Sequence, residues 1–504
     1  MNAGEVLGRC IGEATTERVQ FVSKKMPRIG EFVILECDFG AVLGMIETLA
    51  RGSVAIPEDI FDPASVEKIR AMEGDEYYIQ GSVRILGEVE SMKIPRTPPP
   101  PGTRVMCAPP VVLMRIFGDP GNGIRLGTLV TQPEVPVYVH TNRMVTRHLA
   151  VLAMTGAGKS NTVAVIADGI LGMRGTVLIF DMHSEYISAS FTSGRVTPMR
   201  TVLNPKHLSQ TELAKLANIH GERAYVQSRY FRMAYTTAIR DLQENTIGIS
   251  EFFMHMKDLL DGYLEEERFR DDKTAINAVR NKIEEFEERY EQIIDLTGRE
   301  FSESLVPGTV NVIDLGAVDE DAADVIVSHA LRKILTGRKQ YIRKREGIPF
   351  PLLIVLEEAH ILSPKTRSTD SKYWISRVAR EGRKFGVGLC LVSQSPKSLD
   401  PDSLSQMNNM IISRLIQPED QRHVQSASES LSEDLLAQLA SLNIGEAIAI
   451  GPMTKIPALV KIDEFRGRLV GGDIDVVGEW RRAVEGREQE RDARRREIGQ
   501  MEDY

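Results

Sequence analysis

Residues 147–162, RHLAVLAMTGAGKSNT, constrain this chain more than any other stretch. An apolar, strand-like run over residues 149–153 enters a short loop holding Gly156, Ala157, Gly158, Lys159 and Ser160, and a helical pattern follows. Backbone N–H groups of such a loop wrap phosphates, the lysine reaches the β and γ oxygens, and the hydroxyl ligates Mg²⁺. The helix that follows turns its positive end toward the anion. Thr155 to Asn161 are therefore the expected nucleotide-binding residues, with Ser160 a metal ligand. Ala153 stands where the GxxxxGK[ST] pattern has its first glycine, a substitution that is damaging only if the position needs a positive φ. A second strand expected over residues 176–180 completes a βαβ unit.

With 504 residues the chain is long enough for two or three domains. Its 42% hydrophobic and 26% charged residues describe a globular protein rather than a disordered one. A net charge of −9 gives no long-range pull toward nucleic acid, so any such contact needs a local basic surface. Cys10, Cys37, Cys107 and Cys390 lie far apart, which argues against structural zinc and a disulfide scaffold. No apolar run approaches the ~20 residues of a membrane span and no leader pattern opens the chain, so a cytoplasmic protein is expected.

Residues 1–86 read as short strands punctuated by glycine: Ile79, Val83 and Ile85 alternate with Gln80, Ser82 and Arg84, and residues 31–36 and 41–49 flank a turn at Asp38-Phe39-Gly40. A small barrel or sandwich follows. The proline-rich segment 95–102 reads as a stiff connector, and residues 111–117 and 136–140 as strands leading into the phosphate loop. Ser209-Gln-Thr-Glu212 is a capping-box signature, and Ile276, Val279, Ile283, Phe286, Tyr290 and Ile293 recur at helical spacing. Residues 205–300 are thus expected to be a helical insertion, with Glu265–Glu267, Glu284 and Glu285 on its solvated face. Strand patterns resume at 310–315, 352–356 and 387–393, with a helix around 322–335. From residue 479 onward the sequence is mostly charge, either an exposed helix or an arm that orders against a partner.

The strand at 352–356 ends in Glu357-Glu358. Triphosphatases need one acid in the Mg²⁺ shell and another near the attacking water. Adjacent strand residues point to opposite sides, which assigns Glu357 to the metal and Glu358 to the water. Gln394, at the end of the 387–393 strand, is either a γ-phosphate sensor or part of an ordinary turn. Arg380, Arg383 and Arg147 each have the residue type of an arginine donated across a subunit interface. Asp181, His183 and Glu185 close the second core strand, and one strand end supplies too few ligands for a metal site, so they read as pocket-shaping polar groups. The basic loop 363–372, with Lys365, Arg367 and Lys372, either contacts DNA phosphates or is plain surface.

Taken together, Arg147-His148, Thr155-Gly-Ala-Gly-Lys159-Ser-Asn161, Asp181-x-His-x-Glu-Tyr186, Leu356-Glu-Glu-Ala-His360, Arg380-Glu-Gly-Arg383-Lys-Phe-Gly-Val and Ser393-Gln394-Ser-Pro resemble the HerA family of the HerA/FtsK superfamily of DNA translocases. That resemblance implies a multidomain α/β chain: an N-terminal β-barrel with lead-in strands over 1–145, a RecA-like P-loop core over 146–204 and 301–470, the helical bundle over 205–300, and a C-terminal brace over 471–504. It further implies a homohexameric ring that moves double-stranded DNA with ATP and Mg²⁺, in partnership with the nuclease NurA and with Mre11–Rad50 in resection of DNA ends. A conjugation or segregation pump is an alternative of the same class, though those usually carry membrane spans. A nucleotide-gated ring that only clamps a nuclease on DNA is an alternative of another class.

Overall fold

The computed structural model describes residues 4–470 apart from 57–59, 74–76, 203, 222–223, 297, 299 and 429–430, together with 476–482 and 484. Most of the expected brace, 471–504, lies outside the described residues.

Strands β1 (Val6–Ile11), β2 (Arg18–Ser23), β3 (Phe32–Cys37), β4 (Gly40–Gly52), β5 (Tyr78–Glu88) and β6 (Arg104–Cys107) close into a barrel in the order β1-β2-β5-β4-β3-β6, all antiparallel. Period-two alternation sorts the side chains of β3: Val33 and Leu35 fill the barrel, whereas Phe32 and Ile34 join the main hydrophobic core. Both faces of this strand are covered, so the barrel sits on the rest of the chain rather than beside it. A buried Glu47 on β4 accepts hydrogen bonds from Arg18 and from Ser432, a residue far along the chain, and Arg18 also pairs with Asp434. The proline-rich segment connects β5 to β6 within the barrel, so it does not separate two domains.

Residues 110–117 are a correction. They form the helix Pro110–Phe117, not a strand. The Val111-Val112 pair gives a β-like signal, but Pro110 opens the first turn and Leu113, Ile116 and Phe117 bury one face at helical spacing.

The remaining strands form one eleven-stranded sheet: β7 (Gly123–Leu129), β8 (Pro136–His140), β9 (Leu149–Leu152), β10 (Thr176–Asp181), β11 (Val196–Met199), β12 (Val310–Asp314), β13 (Leu352–Leu356), β14 (Val387–Ser393), β15 (Asn409–Ser413), β16 (Glu446–Ile450) and β17 (Ala458–Ile462). Its order is β11-β12-β10-β13-β14-β9-β15-β16-β17-β7-β8. The seven strands from β11 to β15 in that order run parallel, and the rest pair antiparallel. β9, β13 and β14 are buried at every residue, as strands covered on both faces require.

The insertion packs helices Tyr225–Gln243, Phe252–Glu265 and Lys273–Arg289 around Phe231, Phe252, Phe253, Ile276, Val279, Ile283 and Phe286. The capping box forms as the sequence predicts: Glu212 N–H donates to Ser209 Oγ (3.3 Å) and Ser209 N–H to Glu212 Oε2 (2.6 Å). Glu212 also accepts from Arg332 Nη2 at 3.0 Å, on the helix Glu320–Lys344 of the core, which anchors the insertion.

Around that anchor His329 stands between Glu212 (3.5 Å) and Glu300 (3.8 Å), with His207 and Lys333 also on Glu300. Burial raises both carboxyls, but His329, joined at Glu300 by Lys333 and His207, outweighs it and brings each to about 2. Burial lowers His329, and its hydrogen bonds to the two carboxylates more than reverse that, leaving it above its ordinary value. The lowered carboxyls contribute stability above their ordinary range that is lost as pH falls toward their folded values. The raised histidine contributes stability below about 6.5 that is lost as pH climbs through its folded value. The wild type should therefore unfold at its highest temperature between about pH 4.5 and 6.5 where this junction limits stability, and His329→Gln should flatten the alkaline limb in thermal melts. An alkaline limb identical in the variant would remove His329 from the junction's energetics.

Candidate active site

β9 delivers the chain to the loop at its C-terminal end. Gly156 (φ +76°) and Gly158 (φ +101°) take left-handed conformations that L side chains rarely adopt. Ala153 does not: it is fully buried, lies outside the positive-φ residues, and its N–H donates to the Ser393 carbonyl at 3.2 Å. Alanine in place of the usual glycine thus carries no backbone penalty. The loop closes with Ala157 N–H to the Met154 carbonyl (3.2 Å) and passes into the helix Lys159–Gly172, whose first N–H groups face the loop.

The neighbouring strand ends converge here. Lys159 Nζ lies 3.4 Å from Glu358 Oε1, and Thr155 Oγ1 donates to Gln394 Oε1 at 2.6 Å. Glu358 is 4% exposed and holds a left-handed backbone (φ +42°) just past the end of β13. The two glutamates lie beyond the strand, so strand alternation does not assign them: Glu358 meets Lys159, His183 and His360, whereas Glu357 faces Asp181, Glu185 and Tyr186. Asp181 is fully buried and accepts from the N–H groups of His183 (3.3 Å), Glu185 (3.1 Å) and Tyr186 (2.8 Å), which folds that segment against the glutamates.

Glu357 is 5% exposed, and among the described residues neither its Oε2 nor Glu358 Oε2 has a hydrogen-bond partner, though the His360 ring lies 3.3 Å from the latter. Burial, followed by the negative charges of Asp181 and Glu185, pushes the Glu357 carboxyl well above the usual range. The buried Tyr186 hydroxyl faces both Glu357 and Ser160, so these two groups share one corner. Among the described residues no three-ligand cage of His, Cys, Asp or Glu exists. Mg²⁺ in nucleotide sites takes one or two protein ligands and fills the rest with water and phosphate. An orphaned carboxylate oxygen near the Ser160 hydroxyl fits that donor set.

Asn161 does not face the loop. Its side chain donates to the Asp463 carbonyl (2.9 Å) and accepts from Phe465 N–H (2.8 Å), stapling the segment after β17 to the loop helix. Arg147, Arg380 and Arg383 are not brought to the loop either. Arg147 precedes β9, and Arg380 and Arg383 precede β14, so all three lie at the N-terminal edge of strands whose C-terminal ends carry the site. Four residues of β9 alone separate the edges by ~13 Å. Among the described residues none of the three has a side-chain hydrogen bond or ion pair.

Two site groups, His360 and Arg414, have no role in the sequence reading, and His183 is read there only as a group that shapes the pocket. His183 Nε2 and His360 Nδ1 lie 3.4 and 3.3 Å from Glu358, and His360 also meets Ser393 Oγ at 3.2 Å. Burial depresses His360 despite the carboxylate beside it. Arg414, just past β15, accepts Met154 N–H through its carbonyl (3.3 Å), and its Nε is buried without a partner. The sequence signal for Arg414 is slight, a cation directly after a short apolar run.

A family profile described as "Helicase HerA, central domain" matches residues 124–334, and a HAS barrel domain profile matches residues 7–91. The chain is 41% identical over 489 residues to the "DNA double-strand break repair helicase HerA" of Saccharolobus solfataricus, covering 95% of this chain and 96% of that one. It is 39% identical to the protein of the same description from Sulfurisphaera tokodaii (97% and 99% covered) and 32% identical to that from Pyrococcus furiosus (94% and 97%). Among solved structures, VirB4 of Thermoanaerobacter pseudethanolicus aligns over 69% of this chain and 97% of its own with a TM-score of 0.49 at 15% identity. The chain belongs to the HerA helicase family.

Proposed function

We propose that the protein is an ATP-dependent, Mg²⁺-requiring translocase of double-stranded DNA, working as a homohexameric ring with a NurA-type nuclease, and with Mre11–Rad50, in resection of double-strand breaks. In this reading residues 146–204 and 301–470 are the motor, 205–300 the inserted bundle, 1–145 the barrel with its lead-in strands, and 471–504 the brace. The observation that carries it is the split of the catalytic set. Lys159, Ser160, Glu357, Glu358 and Gln394 gather at one edge of the sheet, while Arg147, Arg380 and Arg383 stand at the other, unpaired among the described residues. If one of these three arginines is the transition-state cation, the site is completed where two copies meet.

The loop and Lys159 would hold the phosphates, and Ser160 and Glu357 would hold Mg²⁺, which would neutralise phosphate charge. Glu358 accepts the proton of the attacking water and Gln394 reads the γ-phosphate. The Gln394 contact to Thr155 gives that reading a direct route into the loop. No described helix is long and apolar enough to cross a membrane.

ATP turnover with and without duplex DNA, alongside a mass measurement, tests the proposal. Strong stimulation by duplex in a six-subunit particle is expected, and ATP-dependent assembly without DNA-stimulated turnover would favour the clamp.

The basic loop supplies fewer phosphate contacts than its composition suggests. Arg367 pairs with Glu320 (2.5 Å) and Lys372 with Asp400 (2.8 Å), which leaves Lys365. Replacing Lys365, Arg367 and Lys372 together by alanine should lower the log–log salt slope of duplex binding by about 0.9, one contact rather than three. A change three times larger would mean that both ion pairs open on DNA, and no change would leave the loop as surface.

A further inference from the structure

His148, next to Arg147, has a backbone that nothing local demands. Its φ of +62° and ψ of 161° lie in a region that is nearly glycine-only, and such outliers persist where the surroundings over-determine them. The ring is 2% exposed, and its partners are main-chain groups. Leu389 N–H of β14 donates to Nδ1 at 3.0 Å, which leaves Nε2 to carry the proton donated to the Ala379 carbonyl at 2.9 Å. Burial brings its pKa down to about 4, so the ring stays neutral and keeps this tautomer at neutral pH.

The flanking backbone is fastened as well. The His148 carbonyl accepts from Asn409 Nδ2 (2.8 Å), and Asn408 N–H donates to the Arg147 carbonyl (3.1 Å). Asn409 also donates to the Arg143 carbonyl (3.1 Å) and accepts from Met453 N–H (2.7 Å). The helix Thr141–Arg147 lies so close to β14 that a Cβ on Gly388 would fall 2.5 Å from the Val145 carbonyl. A glycine at 148 would suit this backbone without strain. What histidine adds is a cross-link from the residue after Arg147 to the residue before Arg380.

We propose that His148 is a positioning residue that clamps Arg147 and the Arg380–Arg383 segment into one rigid edge offered to the neighbouring subunit. The inference rests on the reading that these arginines act across the interface. It differs from an ordinary core role in a testable way. A packing defect at His148 would damage its own subunit's phosphate loop through β9, whereas a positioning defect damages the neighbour's site.

The experiment uses His148→Gly, which relieves the backbone, and His148→Asn, which leaves the backbone as strained as histidine does and keeps an acceptor for Leu389 but drops the Ala379 bond. Full-length rings of either should keep the wild-type KM for ATP with Mg²⁺ and lose tenfold or more in kcat. Co-assembled with Lys159→Ala subunits, whose arginine edge is intact, both should recover hydrolysis to the level of an Arg380→Ala and Lys159→Ala mixture. His148→Gln, which can restore a donor to Ala379, should regain part of kcat without mixing. If His148→Gly does not fold, the asparagine variant carries the same reading. Wild-type kcat in either variant would overturn the proposal. Failure of His148 mixtures where arginine mixtures recover would overturn it and leave the trans reading standing. If mixtures with Arg147→Ala, Arg380→Ala and Arg383→Ala all fail, the trans reading falls and the clamp with it.

Discussion

Lys159→Ala should leave the fold and thermal stability of the protein intact and lower ATP hydrolysis about a thousandfold or more, on the scale of ~4 kcal/mol of transition-state stabilisation. The lysine is the cation that follows charge onto the β/γ oxygens. Glu358→Gln should separate binding from chemistry. The amide keeps the shape and loses the basicity, so ATP should still bind while turnover falls about 10²- to 10⁴-fold. Equilibrium binding of ATP and single-turnover hydrolysis distinguish the two variants. Glu358 has the right surroundings for this work: it is buried, 3.4 Å from Lys159, and flanked by His183 and His360. Glu357, with its carboxyl raised by burial and by Asp181 and Glu185 and with no cation beside it among the described residues, shares the Tyr186 corner with Ser160, so Glu357→Gln should raise the Mg²⁺ needed for turnover. Fast turnover in Glu358→Gln beside a dead Glu357→Gln would exchange the two roles.

The parts of this fold legible from sequence are those where one local pattern decides the outcome. β13 and β14 are continuous apolar runs, buried on both faces, and no helical period competes with them. Ser209 and Glu212 specify their capping box by spacing alone. Residues 110–117 misled because β-branched valines speak for a strand, while a proline at the first turn and three large side chains on one face decide for a helix. The site divides the same way. The loop, Glu357-Glu358 and Gln394 sit at strand ends that a βαβ reading can place. Arg414, by contrast, reaches the loop because β15 lies beside β9 in the sheet, more than 250 residues away in the chain, and strand order is a long-range property no window reveals. Asn161 was legible as a loop residue but not as a staple, because its partners come from the segment after β17.

Mixed rings of Arg380→Ala and Lys159→Ala should hydrolyse ATP although neither parent does. The Arg380→Ala parent is expected to be slower than wild type by about 10³ to 10⁵, the range for removing an arginine that stabilises phosphoryl transfer in trans, and the Lys159→Ala parent by about 10³ or more. The sheet explains why the defect should be complementable. Arg380 and Arg383 lie before β14, and Gln394 after it, so no side-chain movement carries these guanidiniums to their own phosphate loop. In a head-to-tail ring the N-terminal edge of one copy can meet the C-terminal edge of the next. At equal mixing about a quarter of interfaces would pair the intact Lys159 of one variant with the intact Arg380 of the other, which sets the expected recovery if interfaces fire independently. Two affinity tags purified in sequence establish that the subunits mixed. Recovery with Arg383→Ala but not with Arg380→Ala would name Arg383, and recovery only with Arg147→Ala would name Arg147. Arg414 is the competing cis donor, since it stands beside the loop of its own subunit with an unpartnered Nε. If Arg414→Ala is dead and no mixture rescues it, while arginines at the far edge prove dispensable, the site is complete within one chain and the ring serves translocation alone.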